Sequence, residues 1–169
     1  PAILEIEGME QSAGIGSSCW KVENETYSLC VDMIGVITPA EPLLTKSPFT
    51  AILRFPLQEP HEELEFSTFR VTDDDELKVA SYGVRAWSFK GNALNRYKRP
   101  FEREPKFNLS LPPGLYVFNV FASWEGKDHV SYGFLVKVYE PEAKKTAGFE
   151  VVLAITILLA VYIIGRKRR

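Results

Sequence analysis

Histidine is almost missing from this 169-residue chain, which has only His61 and His129. A Ser-His-acid triad or an imidazole-rich zinc centre has little to draw on. His61 lies between Pro60 and Glu62-Glu63, and His129 between Asp128 and Val130, a surface setting and a turn setting. There is no G-x-S-x-G elbow and no Ser-x-x-Lys motif in a helical context. Gly14-Ile15-Gly16 lacks the Lys-Ser/Thr of a phosphate loop, so its glycines are expected to serve a tight bend ahead of Cys19. A basic excess is missing too. The 20 basic and 22 acidic residues become 16 and 21 once the four terminal cations and Glu150 are set aside, a net charge near −5. That balance argues against a nucleic-acid partner.

Carboxylates are more plentiful. The densest cluster, Asp73-Asp74-Asp75 followed by Glu76, is a weak candidate for a hard cation such as Ca²⁺. It lacks the spacing and glycine of an EF-hand, and adjacent carboxylates ordinarily repel one another into solvent. A glycosidase pair has no positive support. No cofactor is expected.

Sustained helical periodicity is absent before residue 147. The best local candidate, 73–80, could open a short helix with acids in its first turn. Alternation is common instead. Strands are expected over 2–6, 49–55, 64–71, 84–89, 106–111, 114–122 and 132–139, with one slip at Thr68-Phe69 that a bulge would explain. Glu125-Gly126-Lys127-Asp128 has hairpin-turn composition between the last two. Many short strands with Pro- and Gly-rich connections indicate an all-β, Ig-like antiparallel sandwich over residues 1–139. In Leu111-Pro112-Pro113-Gly114-Leu115-Tyr116, the tyrosine sits where Ig-like domains bond a Tyr hydroxyl back to the preceding loop.

Cys19 and Cys30 are close in sequence. In an oxidising compartment the default is a disulfide; a metal site and a reactive thiol are the competing readings. Asn24-Glu25-Thr26 and Asn108-Leu109-Ser110 are N-glycosylation sequons, so Asn24 and Asn108 are candidate acceptors on a glycoprotein. Of the tryptophans Trp20, Trp87 and Trp124, the last ends a strong strand beside a turn and is the best candidate for exposure, where a glycan could stack. Asn95-Arg96-Tyr97-Lys98-Arg99 with Arg103 is the one basic, aromatic-containing patch before the tail. It is a candidate for lipid headgroups or glycans, or else a solvated loop.

Residues 140–146, EPEAKKT, read as a short polar tether of about 20 Å. From Val151 to Gly165 the chain is apolar and uncharged. Counted from Ala147 the segment makes about 28 Å of helix, close to the ~30 Å hydrocarbon core. Arg166, Lys167, Arg168 and Arg169 follow, and such a cluster stays cytoplasmic, leaving the preceding domain outside. The chain begins at Pro1 without Met or an apolar run, so a removed export signal is expected.

Ala147-Gly148-Phe149, the apolar segment and the basic end together resemble the PGF-CTERM sorting signal of archaeal surface proteins. The first motif position departs from that family's proline. The resemblance covers about 23 residues, and implies an archaeosortase partner, removal of the helix and attachment to a membrane lipid. Gly14 to Trp20, continued by Cys30-Val31-Asp32, resembles a small exported Cys-Trp…Cys domain without an assigned activity. The expected function is non-catalytic: a membrane-anchored cell-surface protein binding a glycan or protein ligand, or structuring the envelope. The alternatives are a surface hydrolase or metal-dependent enzyme using Asp73, Asp75 and Asp128, or an accessory subunit of a membrane complex.

Overall fold

The computed structural model describes residues 1–140 apart from 23–25, 56–62, 78–82, 101, 103 and 125–127. In chain order the strands are β1 (Ile3–Ile6), β2 (Met9–Ser12), β3 (Gly14–Lys21), β4 (Ser28–Val31), β5 (Val36–Pro39), β6 (Leu43–Thr45) and β7 (Phe49–Arg54). Then come β8 (Glu63–Val71), a 3-10 turn at Asp73–Asp75, β9 (Glu76–Leu77), β10 (Val84–Trp87), β11 (Asn95–Arg99), β12 (Lys106–Leu109), β13 (Gly114–Ser123) and β14 (His129–Val138). The all-β expectation holds for the described residues.

Three sheets form. The largest runs β11-β8-β13-β14-β3-β4, a second runs β12-β7-β1-β2, and a third runs β5-β10-β9. Pairings are antiparallel except that β6 lies parallel to β14, Leu43 to Thr45 against Val136 to Val138. The centre is the β13–β14 hairpin, in unbroken register from Gly114↔Val138 to Ser123↔His129.

Period-two alternation explains the main core. Tyr116, Phe118, Val120 and Ala122 of β13 share one face with Val130, Tyr132, Phe134, Val136 and Val138 of β14. They cluster with Leu4 and Ile6 of β1, Phe49, Ala51 and Leu53 of β7, and Phe107 and Leu109 of β12. Phe66 of β8 stacks on Phe107 at 4.3 Å between ring centroids and meets Phe118 edge-on at 5.2 Å. Each large side chain buried this way contributes about 1.5–3 kcal/mol. The sheets therefore pack face to face as a sandwich.

A second, smaller core lies on the other face of the large sheet. Val117, Leu135 and Val71 pack there with Val36 and Trp87, joined by Phe69, Phe89 and Leu115. The buried Trp87 Nε1–H donates to Thr38 Oγ1 at 2.9 Å, and Arg85 lies 4.5 Å over its ring. This layer corrects the expected bulge at Thr68-Phe69. The β8–β13 register is continuous there, and what changes is which face the apolar side chains serve. Leu64 and Phe66 enter the main core, while Phe69 and Val71 belong to the second. The irregularity of this sheet falls in β3 instead, where Gly16 and Ser17 stand against Ser131 alone.

Gly14 and Gly133 are directly paired under β5. A Cβ on Gly14 would lie 2.3 Å from the Ile37 carbonyl oxygen, and one on Gly133 would lie 2.2 Å from the same atom. Gly14 is thus a point of close backbone approach inside a strand, not part of a bend. The Tyr116 hydroxyl donates to the Pro112 carbonyl at 2.7 Å, the corner read from the sequence. The helix expected over 73–80 reduces to one 3-10 turn, after which the chain pairs with β10 as β9.

Among the described residues no helix is long and apolar enough to cross a membrane. The apolar segment 147–165, the Ala147-Gly148-Phe149 motif, the basic end 166–169 and most of the tether lie outside the described residues.

Candidate binding surface

Where the large sheet ends, the β3–β4 hairpin forms an arm whose outer strand is exposed along its whole length. Cys19 and Cys30 are directly opposite in its ladder and form a disulfide, their Cα atoms 4.1 Å apart. The expected bridge is therefore present, and the cysteines are not free for a metal or as a thiol. So short a Cα separation marks a non-hydrogen-bonded antiparallel pair. The Val22 N–H donates to the Tyr27 carbonyl at 3.3 Å, a hydrogen-bonded pair three positions along the ladder and so of the opposite phase, which agrees. Backbone N–H and C=O groups of Ser28 and Cys30 consequently point away from β3, towards the free edge of the sheet.

The arm is fixed to the body at three places. The Asp128 carboxylate accepts from the Lys21 N–H at 2.6 Å. The Trp20 ring packs on Trp124 with centroids 5.0 Å apart. Ser17 Oγ donates to Asp32 Oδ1 at 2.9 Å and accepts from the Met33 N–H at 3.0 Å. On one face the arm presents apolar groups: Leu29 is 64% exposed, Tyr27 58%, Val31 51% and Trp20 36%. Among the described residues no strand pairs with the outer edge of β4, and an edge carrying exposed apolar side chains is what folds ordinarily hide, which makes the arm the candidate binding surface. The signal was available in Tyr27-Ser28-Leu29-Cys30-Val31, which alternates cleanly although it is short.

The tryptophan ranking is reversed. Trp124 is buried at 6% exposure beneath Trp20, and Trp87 is fully buried, so Trp20 is the exposed ring. His129 is not a turn residue but the first residue of β14, half-buried and opposite Cys19, with its ring 5.4 Å from Phe121. His61 falls outside the described residues.

Of the acidic cluster, Asp75 closes the 3-10 turn by accepting from the N–H and the hydroxyl of Thr72, each at 2.9 Å. Those bonds hold its carboxyl below the ordinary carboxylate range. Glu76 takes a bidentate bond from Arg85 at 2.8 and 2.6 Å, which lowers its pKa likewise. Asp73 lies 3.8 Å from the same guanidinium, while Asp74 is exposed. Asp128 belongs to the opposite end of the sheet, since β13 takes eight residue steps from Leu115 beside Val71 to Ser123 beside His129, a span of about 27 Å. The carboxylates of the hydrolase alternative do not share a cleft. Among the described residues no group of three His, Cys, Asp or Glu side chains could hold a metal.

The basic stretch is the edge strand β11. Arg96 pairs with Glu65 at 3.1 Å, Lys98 pairs with Glu63, and Tyr97 turns inward against Phe66 and Phe107. Its two described cations are therefore matched by glutamates. Asn108 is exposed on β12, at the outer edge of the four-stranded sheet, and its Oδ1 accepts from Thr50 Oγ1 at 2.9 Å. Pro48, Phe49, Leu109 and Ser110 complete a shallow groove there of about 320 Å³. Asn24 lies outside the described residues. No protein-family model matches the sequence, and no curated protein matches it.

Proposed function

We propose that this chain is a membrane-anchored cell-surface protein whose Ig-like exodomain has a non-catalytic binding role, exercised through the β3–β4 arm. The observation that carries this reading is the position of the arm. Strand β14 runs for ten residues, about 33 Å, from His129 beside the arm to Val138, and the chain then passes through Glu140 towards the tether. An anchor beyond residue 146 would hold the Val138 end near the membrane and leave the arm's tip facing outward.

Other features agree with export. The disulfide suits an oxidising compartment, the sequon at Asn108 is on an exposed edge, and the Tyr116 corner is an Ig-like device. The Ala147-Gly148-Phe149 motif with its apolar segment and basic end supports a PGF-CTERM-type signal, read by an archaeosortase in an archaeal membrane. Intact and peptide-level mass spectra of the protein from its native membrane test the reading. Loss of the residues after about Gly148 with added lipid mass is the expected result, and an intact tail resistant to alkaline extraction would mean a permanent span. Release of the whole chain by alkaline washing would refute anchoring in either form.

A further inference from the structure

The outer edge of β4, which has no partner strand among the described residues, is self-complementary. Its outward backbone groups belong to Ser28 and Cys30, as the pairing with β3 dictates. A strand docking there must place outward-pointing residues opposite outward-pointing residues. When the docking strand is β4 of a second copy, antiparallel and two-fold symmetric about Leu29, Ser28 of each copy meets Cys30 of the other. Four backbone hydrogen bonds then close. That register sets Leu29 against Leu29 in a close, non-hydrogen-bonded pair, and Tyr27 against Val31.

We propose that β4 is a homodimerisation edge, joining the large sheets of two copies into one continuous sheet. This takes the binding role of the arm as its starting point and names the partner as a second copy. Charge favours the register: the one charged side chain in residues 26–32 is Asp32, which falls opposite Thr26, so no like charges meet. The exposures of Trp20, Tyr27, Leu29 and Val31 leave on the order of 400 Å² of side chain per copy, or 800 Å² for the pair. Stable interfaces begin near ~1,200 Å². The dimer is therefore weak in solution, and anchoring both copies to one surface would raise its population by effective concentration.

The test is sedimentation equilibrium of the full chain in density-matched detergent, over a wide protein concentration range, beside three variants. Leu29→Lys puts two cations face to face at the symmetry axis. Ser28→Pro removes an outward N–H without taking a bond from β3. Met9→Lys changes an exposed apolar residue on β2, at an edge of another sheet. Far-UV circular dichroism establishes that each variant is folded; if Ser28→Pro is not, Leu29→Lys decides alone. The expected result is a concentration-dependent dimer, weakened about tenfold or more by the β4 variants and unchanged by Met9→Lys. A chain that stays monomeric at every concentration overturns the proposal, as does a dimer indifferent to the β4 variants. A strand from a different protein as the natural occupant would give the first of these outcomes. None of these readouts depends on how the C-terminus is processed, so the anchoring reading and this one fail separately.

Discussion

The side chain of Gln11 satisfies both backbone groups of Leu135. Its Nε2 donates to the Leu135 carbonyl at 3.1 Å, and its Oε1 accepts from the Leu135 N–H at 3.0 Å. Leu135 lies in β14 between the residues paired with β3 and those paired with β6, so a carboxamide from β2 fills the gap in the ladder. The same Nε2 reaches the Glu41 carbonyl at 2.8 Å. One residue thereby ties the four-stranded sheet to β14, in the middle of the large one.

Replacing Gln11 by Leu keeps the volume and leaves both Leu135 groups without that partner. The expected loss is about 2–3 kcal/mol, from stranded backbone groups rather than from lost packing. Urea unfolding of the variant measures it, and a midpoint unchanged from wild type would show that water replaces the carboxamide at no cost.

Glycine substitutions separate close approach from flexibility. Gly133→Ala drives a methyl into the Ile37 carbonyl and must displace β5, so a fall in Tm of several degrees is expected. Gly16→Ala meets nothing nearer than 3.4 Å, the Cβ and carbonyl oxygen of Ser131, and should be nearly neutral. Equal effects at the two positions, read by thermal melting, would contradict the close contact with Ile37.

Acid should loosen the Asp73–Trp87 region first. The folded pKa values of Asp75 and Glu76 are lowered, by Thr72 and by Arg85 respectively. Their contribution is present above the ordinary carboxylate range, near pH ~4, and is lost as pH falls through the depressed folded values. Glu76→Gln should flatten stability against pH below that range. Both residues are half-buried and still reach solvent, so the effect is a change of slope and not an acid-induced collapse.

Reduction of the Cys19–Cys30 bridge should release the arm before the body. Closing a loop of sequence separation 11 is worth about 3 kcal/mol in the chain-entropy model. Because β4 is exposed throughout, what remains among the described residues to hold it against β3 is the short ladder and the Ser17 bonds to Asp32 and Met33 at its base. Hydrogen exchange of the reduced protein should show the Leu29 and Val31 amides, which bond to β3, losing protection while β13 and β14 keep theirs. Uniform loss across all strands would mean that the arm and sandwich unfold as one unit.

The strands easiest to read in the sequence were those with one wet face. Phe49–Arg54 and Lys106–Leu109 alternate because solvent and core divide them cleanly. Val36-Ile37-Thr38 escaped notice because three consecutive buried residues show no alternation. Asn95–Arg99 escaped because Tyr97 is its single apolar side chain, and Gly14–Lys21 because close approach selects glycine over β-formers. Both Trp124 and the slip at Thr68-Phe69 misled for a common reason: neighbouring layers, which no local pattern reports, decide which side of a strand is covered. The apolar alternation from Tyr27 to Val31 was legible. Its exposure was not, since an edge strand and a half-buried strand are written alike.

The ladder of β14 also has a mechanical meaning. Tension that enters at Glu140 and leaves through the arm beside His129 runs along β14, whose ten-residue register with β13 and parallel run beside β6 then lie along the line of pull. Those hydrogen bonds must be sheared together rather than unzipped one after another. Pulled from its C-terminal side, the domain resists where its sheet is longest.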